Sequence, residues 1–192
     1  MRTTISKKAL AELSSDNPRV KYRRAKSLVA IAKQDPRLLY PHLPFFAKLL
    51  RSENNIMTWT AIDILGYLTA LARANRATRL LNLLSGFLRS GKLITANHSI
   101  SALSHIAAAV PAHRQRAIQE LLKVERYGYE TDECHNIALG KVVQAFSSLE
   151  DSNRDAQILE FVRHQTRNSR PATRKRAEEF LKRTEARRSY DG

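Results

Sequence analysis

The stretch "IMTWTAIDIL", residues 56–65, sets the only tryptophan of the chain, Trp59, four residues ahead of Asp63. On a helix that spacing puts indole and carboxylate one turn apart on adjoining parts of one face. The pair allows three roles. Trp59 is a packed residue with Asp63 in a polar contact between helices, or an exposed anchor for a ligand, or half of an active site. Other reactive side chains are dispersed. His98 and His105 share a helix face but lie about 10 Å apart by helix rise, too far to chelate one ion without other ligands. Cys134 and His135 are neighbours in sequence and point to different sides of a helix. Structural roles are expected for all four. The chain has no glycine-rich phosphate loop, no Cys/His metal spacing and no HExxH. No metal and no cofactor are implied.

The elements that position these residues are helices. Apolar residues recur at helical spacing almost throughout, and no alternating strand pattern persists. Breaks fall at "SSDNP", "KQDP", "SENN", "RSGK", "VPAH", "GYETDE", "EDSN" and "NSRP". Many of them place Asp, Asn or Ser ahead of a new helix, often with proline in its first turn. This predicts roughly ten helices, near 4–14, 18–34, 36–51, 55–74, 76–90, 93–109, 112–126, 132–148, 152–167 and 171–186. They pair. The second helix of each pair carries a small or polar residue and an apolar one three positions on: Ala25/Leu28, Ala61/Ile64, Ser99/Ala102, Asn136/Leu139 and Ala177/Phe180. The small positions are spaced by 36, 38, 37 and 41. In the fourth unit "ALG" (138–140) aligns equally with "ILG" (64–66), one residue away from that register. A two-helix period near 37 signals an α-solenoid, in which no pair buries its apolar face alone.

On these residues the chain resembles the HEAT-repeat family. The unit "DNPRVKYRRAKSLVAIA" has the family's acidic turn at Asp16, proline at Pro18, apolar Val20, basic Lys21, small Ala25 and apolar Leu28. The unit "NNIMTWTAIDILGYL" keeps Ile56, Ala61, Ile64, Leu65 and Gly66. The third unit lacks the acidic turn. The resemblance implies an all-α, right-handed α-α superhelix of about five helix pairs. It would form one domain over 1–186, with a disordered basic tail at 187–192. It also implies a family used mainly for binding, whose second helices line a concave side.

In the first unit, core positions Ala25, Leu28 and Ala32 leave Arg19, Arg23, Lys26, Ala30 and Lys33 on the opposite stripe, at steps of four, three, four and three. Shifting by one repeat gives Asn55, Trp59, Ile62, Gly66 and Thr69, and then Leu93, Asn97, Ile100, Ser104 and Ala107. The expected contact residues are Arg19, Arg23, Lys26, Lys33, Trp59 and Asn97. A register error of 100° would instead turn Trp59 into the groove between repeats.

Charge narrows the partner. Lysine and arginine total 33 against 18 acids, a net +15, which favours phosphate backbones or acidic proteins. Residues 1–51 carry 12 basic and three acidic side chains. From Ile64 to Gln119 there are seven bases and no acid, whereas 120–160 holds nine acids against four bases. This breaks any continuous phosphate track and leaves the N-terminal units as the better anion-binding surface. The alternative for such a run is a solvated face that confers solubility alone. One cysteine rules out an internal disulfide and fits a reducing compartment. No apolar run reaches about 20 residues, and "MRTTISKKALAEL" lacks the apolar stretch of a secretory signal. A cytoplasmic monomer with no membrane association is expected.

The leading expectation is thus a non-enzymatic interaction module that binds an acidic protein segment or nucleic acid. An enzymatic alternative comes from a second resemblance. Alkylpurine DNA glycosylases built on HEAT-like repeats share the W-x-x-x-D spacing of Trp59 and Asp63. That likeness implies Asp63 as a catalytic candidate, stabilising a developing cationic sugar. The arginine that follows a repeat later in those enzymes is replaced here by Asn97 or His98. The Glu–His pairs of HEAT-type di-iron hydroxylases are missing. A third alternative is a structural subunit meeting a partner through Ile100 and Ile137.

Overall fold

The computed structural model describes residues 5–188, apart from the side chains at 7, 8, 187 and 188. Its regular structure is helical, with no strand among the described residues. The helices are α1 (Lys7–Ala11), α2 (Pro18–Gln34), α3 (Leu43–Leu49), α4 (Asn55–Leu68), α5 (Ala74–Gly86), α6 (Leu93–Ala109), α7 (Pro111–Leu122), α8 (Asp132–Ser147), α9 (Ala156–Gln165) and α10 (Pro171–Arg188). The all-α expectation holds.

Helix starts fall where the capping chemistry places them. Asn17 accepts from the N–H groups of Arg19 and Val20. Asn54 accepts from Ile56 N–H, Thr131 from Cys134, and Asp155 from Gln157 and Ile158. Each such cap contributes about 1 kcal/mol. Pro18, Pro111 and Pro171 open their helices, where a missing N–H costs nothing.

Prolines also explain the largest departure. The helix expected over 36–51 is two 3-10 turns, Pro36–Leu38 and Tyr40–His42, followed by the short α3. Pro41 and Pro44 fall inside the expected helix, where each removes a donor and restrains the residue before it. Several other helices are shorter than expected because their ends tighten into 3-10 turns, at Thr69–Leu71, Phe87–Arg89 and Lys123–Arg126. At the C terminus α10 continues through Arg188, so the first two residues of the expected tail are helical. Residues 189–192 of that tail lie outside the described residues.

The chain divides into two compact units between Leu84 and Ser85. In the first, α2 and α3 both pack on α4, with Leu28, Leu39, Phe46, Ala61, Ile64 and Leu65 fully buried. In the second, α6 packs on α7 and α8, and α8 packs on α10. Phe146 and Phe161 meet edge to face there, with ring centroids 5.6 Å apart. Gly140 of α8 lies under α10. A Cβ built on it would sit 2.5 Å from Thr173 Oγ1, and Thr173 in turn donates to the Asn136 carbonyl at 2.8 Å. Gly140 and Gly66 are both buried.

A loop ahead of α8 secures the second unit. α6 has no side-chain cap from its own N-cap residue, Lys92. The carboxylate of Glu130 supplies one, accepting from Leu93 N–H at 3.0 Å, at the helix end where negative charge is favoured. Beside it Tyr129 donates its hydroxyl to the Leu88 carbonyl at 3.0 Å and stacks on His135. Burial, with Tyr127 and Glu130 nearby, pushes the Tyr129 phenol up to about 12 from 10.0. The neutral form is therefore favoured by folding. Its stabilising effect is complete below pH 10 and is lost as pH rises from there to about 12. Thermal unfolding across that interval should show a fall in Tm that is smaller in Tyr129→Phe. Equal slopes in the two proteins would mean that the phenol titrates as it does in the unfolded chain.

Candidate functional site

α2 is amphipathic in the way its sequence demands. Ala25, Leu28 and Ala32 are buried, while Arg19, Arg23, Lys26, Ala30 and Lys33 are exposed along the opposite side. Four cations thus line about 21 Å of helix at 1.5 Å per residue. α2 contains no acid. Two acids of this unit are taken up by bases outside the row: Glu12 by Arg24 at 2.6 Å, and Asp35 by Arg37 at 2.7 Å. Among the described residues no acid pairs with Arg19, Arg23, Lys26 or Lys33. By sequence the unit holds fifteen basic and five acidic side chains, so it carries +10 of the net +15.

On α4 the expected row needs correction. Ile62, Gly66 and Thr69 are buried, as are Ile100, Ser104 and Ala107 on α6. The half-open residues of α4 are Ile56, Trp59, Asp63 and Tyr67, and those of α6 include Asn97, Ser101 and His105. Trp59, Asp63 and Tyr67 each follow an exposed residue of α2 (Tyr22, Lys26 and Ala30) by 37 positions rather than 36. One residue is about 100° of helix rotation, enough to exchange an outward row for a buried one. Ile100 is fully buried, so it is not available to a partner in the way the structural-subunit alternative requires.

The structure keeps Trp59 and Asp63 on one stripe, neither fully buried nor fully exposed, and adds Tyr67 one turn further on. Burial and the Asp63 carboxylate together raise the Tyr67 phenol above its ordinary value, which places the two groups within electrostatic reach. Arg19, Arg23, Lys26, Lys33, Trp59 and Asp63 all belong to the first unit, and α2 packs on α4. Asn97 belongs to the second unit. Its Oδ1 is buried without a hydrogen-bond partner among the described residues. His135 sits against the Val124 carbonyl, with Nε2 at 3.1 Å, a structural placement. Among the described residues no three of His, Cys, Asp and Glu converge as metal ligands, and no helix is long and apolar enough to cross a membrane.

One feature escaped the reading of second helices. A cleft of about 610 Å³ in the first unit is lined by Tyr40, Arg73, Ala74, Asn75, Arg76 and Arg79. The acid-free run from Ile64 to Gln119 was its only signal in the sequence.

No family model matches the chain, and no curated protein matches it. Among solved structures it is similar to the crystal structure of an engineered protein from the Northeast Structural Genomics Consortium, with TM-score 0.51 and 17% identity. The match covers 91% of this chain and 76% of that one. At such identity the likeness concerns the helical fold alone.

Proposed function

We propose that this chain is a non-enzymatic binding module whose helix pairs stack as a HEAT-like, right-handed superhelix. Its first unit docks a polyanion, either nucleic acid or an acidic protein segment. The observation that carries this reading is the exposed row Arg19, Arg23, Lys26 and Lys33 on a helix without acids. Held on a rigid, packed helix, these cations meet a polyanion without the ordering cost that a flexible basic tail carries. The half-open Trp59 adds an aromatic surface on the neighbouring α4.

A salt titration tests the reading and separates the two ligand classes. On duplex DNA, log K should fall against log salt with a slope of about −0.9 per phosphate neutralised, so four contacts give roughly −3.6. No binding to any polyanion at low salt would overturn the proposal. Binding to an acidic peptide but not to DNA would assign the surface to proteins. The glycosylase reading rests on Trp59 and Asp63 alone. The position at which that resemblance calls for an arginine holds Asn97 or His98.

A further inference from the structure

The cleft between Tyr40 and the start of α5 shares no residue with the α2 row, and its chemistry is more specific. Three arginines line it: Arg73 just ahead of the helix, Arg76 in the first turn and Arg79 in the second. At steps of three, their Cα atoms stay within about one third of the helix circumference. All three are exposed, and no described residue forms an ion pair with them. No acid stands in the first turn of α5. The arrangement runs against local stability, because a helix N-terminus already carries partial positive charge and disfavours cations. A sequence selected for the stability of α5 would place Asp or Glu there. Such local conflicts with folding rules concentrate at sites of function.

The remaining lining says what the cations meet. Guanidinium forks match phosphate oxygens in two-point geometry. Tyr40, half-buried and reaching the cleft from the Tyr40–His42 turn, presents an aromatic surface of the kind on which an unpaired base stacks. The volume of about 610 Å³ lies within the range of small-ligand sites. A cationic groove with an aromatic platform is the recurring solution for single-stranded nucleic acid. We infer that Tyr40, Arg73, Arg76 and Arg79 form a binding site for single-stranded nucleic acid, with the arginines on successive phosphates and Tyr40 under a base.

The test measures binding of a labelled oligo(dT) by fluorescence anisotropy over a salt series, using the full chain and inorganic tripolyphosphate as competitor. Arg76→Gln with Arg79→Gln should weaken binding at least tenfold and reduce the salt slope by about 1.4, at roughly 0.7 per phosphate on single strands. Tyr40→Ala should weaken it roughly 5- to 100-fold with the slope unchanged, and Tyr40→Phe should restore it. Thermal unfolding without ligand separates function from folding. The arginine variant should match or exceed the wild-type Tm, since it removes cations from a helix start. A lower Tm would mark the arginines as structural and overturn the proposal. Unchanged affinity in both variants would overturn it too, even if the α2 row still bound DNA. Tripolyphosphate displacing the oligonucleotide while Tyr40→Ala has no effect would overturn the single-strand assignment in favour of an oligophosphate site. Loss of binding confined to α2 charge reversal would leave the α2 reading standing and this one refuted.

Discussion

Reversing two charges on α2, Arg23→Glu with Lys26→Glu, is expected to reduce polyanion binding on the order of 100-fold and leave thermal unfolding nearly unchanged. The magnitude follows from losing two charge-assisted contacts of about 1.4 kcal/mol each, a tenfold loss apiece. Replacing each cation with an anion adds repulsion and pushes the effect higher. The indifference of folding follows from geometry. Both side chains are exposed, and no described acid depends on either one. Glu is a good helix former, so α2 keeps its propensity. Anisotropy with a labelled DNA duplex at low salt, beside a thermal melt, reads both quantities. Preserved affinity would show that the ligand sits on another surface of the protein.

The second large effect is on stability. Gly140→Ala should destabilise the second unit by about 1–3 kcal/mol, the usual cost of inserting a methyl into a filled space. The new Cβ meets Thr173 Oγ1 at 2.5 Å and Thr173 Cβ at 3.3 Å. Thr173 is fully buried and held by its bond to Asn136, so it has little room to give. Alanine is the better helix former by about 1 kcal/mol, which offsets part of the clash. Thr173→Ala removes the nearer atom, and Gly140→Ala in that background should cost less than in the wild type. A double-mutant cycle by urea denaturation measures this coupling. Additive losses would place the strain elsewhere in the α8–α10 packing.

Much of this was legible in the sequence, for reasons that differ by element. The helices opened by Asn17, Asn54 and Thr131 start where expected, because a capping side chain acts on amides two or three residues away and needs no tertiary context, whereas α9 starts at Ala156 behind its cap Asp155 rather than at 152, since Ser152–Arg154 forms a separate 3-10 turn. The α2 face was equally plain. Its buried residues Ala25, Leu28 and Ala32 and its cations Arg19, Arg23, Lys26 and Lys33 fall on opposite sides, so one rotation satisfies both sets. α4 and α6 gave no such guide. Met57, Thr58, Thr60, Ala61, Ile62, Ile64 and Gly66 are all buried, which spans about two thirds of the circumference of α4 at about 100° per residue. A helix apolar on most sides does not announce which narrow stripe stays open. A step of 36 residues from Arg23 to Trp59 therefore sets Ile62 outward, whereas the open residues of α2 and α4 correspond at 37. The Tyr40 cleft was harder still. Its residues come from a proline-broken segment and the start of α5, thirty-three positions apart between Tyr40 and Arg73, and only packing brings them together.

The cap on α6 has a consequence for how the polypeptide is made. Leu93 and Glu130 are separated by 37 residues, and synthesis proceeds at about 5–20 residues per second. The first turn of α6 thus leaves the ribosome some seconds before the carboxylate that closes it does. Over that time the segment from Ser85 onward lacks one of its own stabilising bonds, and its completion waits on the arrival of the loop ahead of α8.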